Sequence, residues 1–199
     1  MNCTKENGAS VPFWKLLLFS KMLMKKTDAQ KIAYIGVTMA YTVVVNMLEI
    51  KLGGIQFSLT ILVSALAGII LGAGSGFAAC FVGDLFGFFI HPFGEYSPWI
   101  GIATGLMAFV MGVMVVLPNV KKFLFLYLGI GCLAVFALCT AGITTLYLNK
   151  VWYTSMTYWE CLVFRLFVQG QIWNSLFNYT LLFIAVPTLS KVKPLGLNL

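Results

Sequence analysis

Residues 99–117 have the sequence WIGIATGLMAFVMGVMVVL, nineteen consecutive residues without a charged side chain. A helix needs about 20 apolar residues to cross the hydrocarbon core of a bilayer. This segment is therefore long enough to span a membrane once. Pro118, Lys121 and Lys122 follow it, and a proline followed by lysines is typical of the place where a helix leaves the bilayer.

The composition of the whole chain agrees with a membrane location. Of its 199 residues, 60% are hydrophobic and 10% are charged, whereas about 25% are charged in a soluble domain. The mean hydropathy is +0.94. We predict an all-α polytopic membrane protein, a single membrane domain over residues 1–199 with six transmembrane helices in a core of residues 32–187. The six apolar segments are residues 32–50, 57–71, 77–90, 99–117, 123–148 and 159–186.

Positive charges are unequally divided between the two sides of this six-helix arrangement. The chain has 13 Lys and Arg against 6 Asp and Glu, and cytoplasmic loops carry most of the positive charge in membrane proteins. One side has Lys5, Lys15, Lys21, Lys25, Lys26, Lys31, Lys121, Lys122, Lys191 and Lys193, and the other has Lys51, Lys150 and Arg165. We therefore expect a multi-pass protein of the cytoplasmic membrane with both termini in the cytoplasm. A nucleic-acid interface is excluded, because the lysines lie at the ends of apolar segments and not on a soluble face.

Residues 1–31 form a basic segment ahead of the first predicted span. Its apolar part, residues 13–24, is interrupted by Lys15 and Lys21 and has no small-residue cleavage site behind it. A removed signal peptide is therefore not expected. We predict instead a basic amphipathic helix on the inner membrane surface.

Residues for catalysis or metal binding are scarce. The only histidine is His91, in a loop beside Pro92, and the five cysteines form no CxxC pair. No HExxH, GxSxG or phosphate-loop motif occurs in the sequence. We expect no enzyme activity, no cofactor and no metal, so transport against a gradient would need an ATPase partner.

Ionisable residues within the predicted spans are the strongest indications of a functional site. A charge at the centre of a bilayer costs at least about 2.5 kcal/mol and persists where it is paired or lines a cavity. Arg165, Asp84 and Glu49 are such residues. Arg165 either binds an acceptor group of a ligand from outside or pairs with Asp84 or Glu49. For Asp84 a structural role is favoured, and Glu49 is close enough to the interface to be solvated.

Small residues recur every four positions in two of the predicted spans. Gly36 and Ala40 repeat this spacing in the first span, and Ser64, Gly68, Gly72 and Gly76 continue it from the second span. Small residues let helices approach closely in a membrane. They predict contacts between helices of this chain or with a partner protein.

Aromatic residues concentrate on the predicted outer side. They either form an interfacial belt or, for a few of them, line an outward-facing pocket that stacks a planar ring. The set comprises Phe93, Tyr96, Trp99, Tyr147, Trp152, Tyr153, Tyr158 and Trp159.

Several of these stretches resemble the S component, the substrate-binding subunit, of energy-coupling-factor (ECF) vitamin transporters, and most of all its folate family. The resemblance covers about residues 33–189 and is most specific at residues 83–87 (GDLFG) and 94–98 (GEYSP), with Arg165 at the position of that family's arginine. Further matches are Phe57-Ser58 and Leu66-Ala67-Gly68 with Gly72.

The resemblance implies a binding subunit without enzyme activity, which works with a transmembrane coupling subunit and two ATPases. It places the vitamin in an outward pocket and implies partner docking through Gly36, Ala40, Gly68, Gly72 and Gly76, with Asp84 structural. The substrate-binding candidates are Arg165, Tyr96, Trp99, Tyr147, Trp152, Phe57 and Glu49.

The ligand is less well defined than the class of protein. The folate family's first-span arginine is replaced by Thr42, its Asn-Thr-Leu-Trp signature by residues 144–147 (TTLY), and its sixth-span proline is missing near Trp173. Folate is favoured by the motifs, whereas pantothenate, a monoanion, needs fewer cations. The alternative to an S component is a stand-alone secondary carrier, but the two related halves typical of such carriers are not evident.

Overall fold

The computed structural model describes residues 5–6, 9–10, 13–48, 50–52, 55–90, 92, 96–117, 120 and 122–191. Within these ranges the fold is helical, apart from two short antiparallel hairpins. The strands are β1 (Lys5–Glu6), β2 (Ala9–Ser10), β3 (Ile50–Leu52) and β4 (Ile55–Phe57). The α-helices are α1 (Phe13–Leu18), α2 (Lys21–Met24), α3 (Asp28–Met47), α4 (Thr60–Leu71), α5 (Ala73–Ile90), α6 (Pro98–Val116), α7 (Leu124–Val135), α8 (Thr145–Val151), α9 (Tyr158–Val163) and α10 (Gln171–Ser190).

Among the described residues, four helical segments are long and apolar enough to cross a membrane. They are Ala73–Ile90, Pro98–Val116, Leu124–Val151 and Gln171–Ser190. The segment Leu124–Val151 is continuous because a π-helical stretch, Phe136–Thr144, joins α7 to α8. These helices confirm the predicted all-α polytopic membrane protein.

Helix α4 is much shorter than a full membrane span. Its 12 residues correspond to about 18 Å, little more than half of a hydrocarbon core about 30 Å thick. The strand β4 and residues Ser58 and Leu59 precede it, on the predicted outer side. The outer part of the predicted second span is therefore not helical.

Three predicted helix boundaries need correction. The third span begins at Ala73 instead of residue 77, because Gly72 adopts φ 107° and alone separates α4 from α5. The sixth span is divided at Gly170, which adopts φ 69°. Pro187 does not end the last helix, which continues to Ser190. A proline in the last turn removes one backbone donor only, so the helix completes that turn.

Helix α6 lies at the centre of the bundle, in contact with α4, α5 and α7. Small residues make the close approach possible: a Cβ built at Gly68 would lie 1.8 Å from the Ala108 carbonyl oxygen, and one at Gly76 would lie 2.8 Å from the Gly68 Cα. The apolar core includes Ile61, Ala65, Ile69, Ala103, Met107, Met111, Leu128 and Leu182.

The basic N-terminal segment forms two short helices, α1 and α2, where one amphipathic helix is predicted. They pack at the turn between α4 and α5, where the Ser20 hydroxyl donates to the Ile70 carbonyl oxygen at 2.6 Å and the Ser20 N–H donates to that of Leu71 at 2.7 Å. These two bonds satisfy carbonyls that the end of α4 leaves without helical partners. The segment therefore closes the end of α4 that is predicted to face the cytoplasm.

Substitution of Gly68 by alanine tests the contact between α4 and α6. Gly68→Ala should lower the free energy of unfolding by about 2 kcal/mol, within the range of overpacking substitutions, because its Cβ would collide with the backbone of Ala108. The measurement is thermal unfolding of the purified protein in detergent. Gly36→Ala is the matched control, since a Cβ at Gly36 meets nothing within 4 Å. Equal effects of the two substitutions would contradict the packing described here.

Candidate functional site

Backbone irregularities concentrate in the outer half of the last two spans. Besides the π-helical stretch Phe136–Thr144, a second one, Phe164–Val168, follows α9 and leads to the left-handed Gly170. At membrane depth irregular backbone is tolerated where it is buried in protein or lines a cavity, and π-helical turns are frequent at functional sites. The outer half of these spans is therefore the first place to look for a binding site.

Arg165 connects the two π-helical stretches. Its Nη1 donates to the Thr140 carbonyl oxygen at 3.3 Å and to the Thr145 hydroxyl, and the Thr145 hydroxyl donates to the same carbonyl oxygen. The side chain is 6% exposed, and its Nε has no hydrogen-bond partner. Arg165 thus joins the fifth and sixth spans and keeps one buried donor unused.

Within the described part of the chain, no carboxylate forms an ion pair with Arg165. The ion pair found there joins Lys31 and Asp28. Asp84 instead accepts a hydrogen bond from the Asn46 amide at 3.2 Å. A buried guanidinium that contacts only neutral groups is costly to maintain. Such a residue is a candidate to bind an acceptor group of a ligand.

Two asparagines of α10 form hydrogen bonds to backbone groups at the beginning of α4. The Asn178 Oδ1 accepts from the Leu62 N–H at 3.1 Å, and its Nδ2 donates to the Ser58 carbonyl oxygen at 2.8 Å. The Asn174 Oδ1 accepts from the Ser58 N–H at 3.1 Å. Because the N-cap residue Leu59 has no side-chain acceptor, these amides replace the missing cap.

The same network continues to α3 and α5. The Thr60 hydroxyl donates to the Asn46 Oδ1 at 3.0 Å, and the Asn46 Nδ2 reaches Asp84. The Ser58 and Thr60 hydroxyls are 2.5 Å apart. We call this set the asparagine cluster, and its members are Asn46, Ser58, Thr60, Asp84, Asn174 and Asn178. It joins α3, α4, α5 and α10 in the outer half of the bundle.

Tyr96 lies beside the asparagine cluster, just before α6. A Cβ built at Gly101 would lie 3.1 Å from the Tyr96 hydroxyl and 3.2 Å from the Asp84 Oδ2, so both groups converge on this glycine. The Tyr96 hydroxyl is buried without a hydrogen-bond partner. Burial, and secondly the charge of Asp84, raise the pKa of Tyr96 above its ordinary value.

Further buried hydroxyls lie near the two polar groups of residues. Ser97 adjoins Tyr96, Ser175 adjoins Asn174, and Thr140 carries the carbonyl that Arg165 contacts; none of the three hydroxyls has a hydrogen-bond partner. Buried polar groups are normally paired. These three hydroxyls therefore keep unused hydrogen-bonding capacity.

The residues predicted to bind substrate occupy different environments. Arg165 is buried, and Tyr96, Tyr147 and Phe57 are partly buried. Trp99 and Trp152 are 56% and 62% exposed, which is typical of an interfacial belt. Glu49 lies outside the described residues. The residues that the sequence analysis missed are the uncharged members of the asparagine cluster; the i, i+4 pair Asn174 and Asn178 within an apolar segment was the available signal.

The small residues predicted to dock a partner separate into two groups. Gly68, Gly72 and Gly76 are buried inside the chain, where they contact Ala108, the backbone of Phe19 and Ser20, and Gly68 respectively. Their spacing serves packing within the bundle. Gly36 and Ala40 are exposed on α3 and stay available for a partner.

Comparison with known families identifies the class of protein. The chain belongs to a family of S components, the substrate-binding subunits of ECF transporters, because a model of that family matches residues 26–191, most of the chain. The matched family is the ECF-type riboflavin transporter, S component. No curated protein matches the chain.

Membership of this family defines several properties of the chain. It is an integral membrane component of a vitamin transporter that associates with an ECF module, and its family is not an enzyme family. The predicted S component is thereby confirmed. The match does not support the folate family that the sequence motifs favoured.

Removal of the Asn178 amide tests its role as the cap of α4. Asn178→Ala should lower the free energy of unfolding by about 2 kcal/mol, because the Leu62 N–H and the Ser58 carbonyl lose a buried partner. Thermal unfolding in detergent, with hydrogen exchange of residues 58–62, measures the effect.

Thr180→Ala is the control for this substitution. The Thr180 hydroxyl is exposed and bonds to the Leu176 carbonyl of its own helix, so its loss should change stability by less than about 0.5 kcal/mol. Unchanged exchange of residues 58–62 in Asn178→Ala would contradict the capping role.

Proposed function

We propose that this S component binds riboflavin from outside the cell and delivers it through an ECF transporter that supplies the energy of ATP hydrolysis. The ligand site that we propose lies in the outer half of the bundle, between the asparagine cluster and Arg165. Membership of the riboflavin transporter S component family supports the ligand, and the chemistry of the described residues supports its position.

The balance of charge in this region favours a neutral ligand. The charged groups comprise one buried cation, Arg165, and the partly buried carboxylate of Asp84, and the others are amides and hydroxyls. Riboflavin is uncharged at neutral pH, whereas folate would bring two negative charges against one buried cation. Uncompensated charge is expensive in an apolar interior. This balance is the observation on which the choice of riboflavin depends.

The hydrogen-bonding groups of the proposed site match both the ring and the sugar-alcohol chain of riboflavin. Its ring carries carbonyl acceptors and an N–H donor along one edge, and asparagine amides offer both kinds of partner. Its sugar-alcohol chain suits the buried hydroxyls of Thr140 and Ser175. The Nε–H of Arg165 supplies a charge-assisted bond to a ring carbonyl.

Partly buried aromatic residues suit the planar ring itself. Tyr96, Phe57 and Tyr147 come from the start of α6, from β4 and from α8. An aromatic ring stacked on a ligand adds apolar contact and about 0.5–1.5 kcal/mol of specific interaction. These three residues are our candidates for stacking, while the exposed Trp99 and Trp152 belong to the interfacial belt.

Folate is the second candidate, and one observation favours it. Arg165 has no carboxylate partner within the described residues and keeps a free buried Nε–H, which suits an anionic acceptor. The sequence motifs around residues 83–98 favour folate as well. A monoanion such as pantothenate would also fit a single cation.

The docking surface that we propose for the coupling subunit is the exposed side of α3. Gly36 and Ala40 lie there beside the exposed Val37 and Val44. The two small residues leave room for the close approach of another membrane helix.

Titration of the purified protein distinguishes the candidate ligands. We expect riboflavin to quench the intrinsic Trp fluorescence with a submicromolar dissociation constant, and folate and pantothenate to bind at least about a hundredfold more weakly, since an unmatched buried charge costs several kcal/mol. Mass spectrometry of the molecule that co-purifies gives an independent answer. Submicromolar binding of folate without binding of riboflavin would overturn the proposed ligand.

Substitution of Arg165 tests its place in the site. Arg165→Ala should weaken riboflavin binding at least about tenfold, the scale of one lost hydrogen bond to a charged group. Lys150→Ala is the control, because Lys150 is an exposed cation of the same outer side.

Thr145→Val separates a binding role of Arg165 from a structural one. This variant removes the hydroxyl that holds the guanidinium but keeps the cation, and it should weaken binding less than Arg165→Ala does. Unchanged affinity in a folded Arg165→Ala variant would show that Arg165 only connects the two π-helical stretches.

A further inference from the structure

The N-terminal helices α1 and α2 have one buried and one exposed side. Met22 and Leu23 are 5% and 0% exposed, and Leu23 packs with Leu71 and Ala79 of the bundle. Hydrogen bonds to α4 and from the Ser75 hydroxyl to the Leu18 carbonyl hold the segment in place. The orientation of its exposed side is therefore fixed by the fold.

The exposed side combines lysines with large apolar residues. Trp14 and Leu18 are 58% and 42% exposed, and Lys15, Lys21 and Lys25 are exposed around them. The Lys15 ammonium lies 5.4 Å from the centre of the Trp14 ring. Tryptophan beside lysine is the combination that favours the boundary between acyl chains and headgroups.

Within the described part of the chain, neither Lys15 nor Lys21 forms an ion pair with a carboxylate. Between residues 13 and 48 the one acidic residue is Asp28, and it is paired with Lys31 at 2.7 Å. Two other basic positions of the same cytoplasmic side are exposed, Lys122, whose ammonium lies 5.4 Å from the Phe123 ring, and Lys191. The described residues at the cytoplasmic end of the bundle therefore carry a strongly positive charge.

We propose that the exposed side of α1 and α2 binds anionic phospholipid headgroups of the cytoplasmic leaflet. The leaflet carries a negative surface potential, and each lysine near it contributes about a fivefold preference, the equivalent of about 1 kcal/mol. Trp14 and Leu18 enter the boundary region while Lys15 and Lys21 contact the phosphates. Because α1 and α2 also close the end of α4, the lipid contact fixes the depth of this end of the bundle in the membrane.

Lipid is favoured over a soluble acidic partner by position and chemistry. The surface lies at the turn between α4 and α5, at the end of a membrane span, which is the level expected for lipid headgroups. A protein partner would have to bury Trp14 against its own surface, whereas the membrane boundary accepts an exposed tryptophan without a matching pocket.

Fluorescence quenching of a single tryptophan tests the proposal. Replacement of Trp99, Trp152, Trp159 and Trp173 by phenylalanine leaves Trp14 as the only tryptophan. The fold should tolerate these substitutions, because all four side chains are more than half exposed. The protein is reconstituted in vesicles of equal parts phosphatidylglycerol and phosphatidylcholine, with brominated chains on one lipid or the other. We expect brominated phosphatidylglycerol to quench Trp14 with at least about a fivefold preference.

Two controls make the result specific. A variant that keeps only Trp173 has a reporter that is as exposed as Trp14, 59% against 58%. Trp173 lies in the outer half without a neighbouring lysine, so its fluorescence should show no lipid preference. The double variant Lys15→Gln/Lys21→Gln should lose the preference at Trp14, and so should the parent protein at high salt, where charges are screened.

Equal quenching of Trp14 by the two lipids, or a preference that survives both the double substitution and high salt, overturns the proposal. Equal quenching together with loss of the coupling subunit from the double variant on co-purification would assign the surface to a protein contact instead.

Discussion

The need to satisfy backbone groups inside the bilayer determines how this protein is built. Helix α4 has 12 residues, so it begins short of the outer surface that a full span would reach, and its first N–H groups need protein partners. Asn174 and Asn178 of α10 supply the missing acceptors. Because both asparagines must face α4, the sixth span is held against the second, and a polar cluster forms at that depth.

Close packing of the inner half makes the polar outer half possible. Gly68, Gly76 and Gly112 let α4, α5 and α6 approach until backbone touches backbone, and α1 and α2 cover the turn at Gly72. The inner end is thereby closed, while the π-helical stretches around Arg165 and the short α4 leave the irregular backbone on the outer side. The division agrees with a subunit that takes its ligand from outside.

The amino-acid sequence predicts the spans better than it predicts the site. Apolar segments such as residues 99–117 indicate a helix because length and hydropathy suffice for it. The break at Gly170 and the hairpin of β3 and β4 have local signals, a glycine that permits a positive φ and the pair Gly53-Gly54, but the apolar residues around them also fit continuous spans. Arg165 and Asp84 are conspicuous in the sequence because charged residues are rare within the spans. The asparagine cluster, however, consists mainly of amides and hydroxyls, whose partners lie up to 120 residues away in the chain. The regular spacing of Gly68 and Gly76 is evident in the sequence. The sequence does not show whether these glycines contact a helix of this chain or a partner protein.

The central claim is that a neutral vitamin binds between the asparagine cluster and Arg165. Hydrogen exchange of the reconstituted protein with and without riboflavin tests it most directly. We expect riboflavin to slow exchange of residues 58–62, 140–145 and 171–178 together, because the ligand orders the groups that join these three segments. Protection confined to other segments, or no protection at saturating riboflavin, would show that the vitamin does not bind between the asparagine cluster and Arg165.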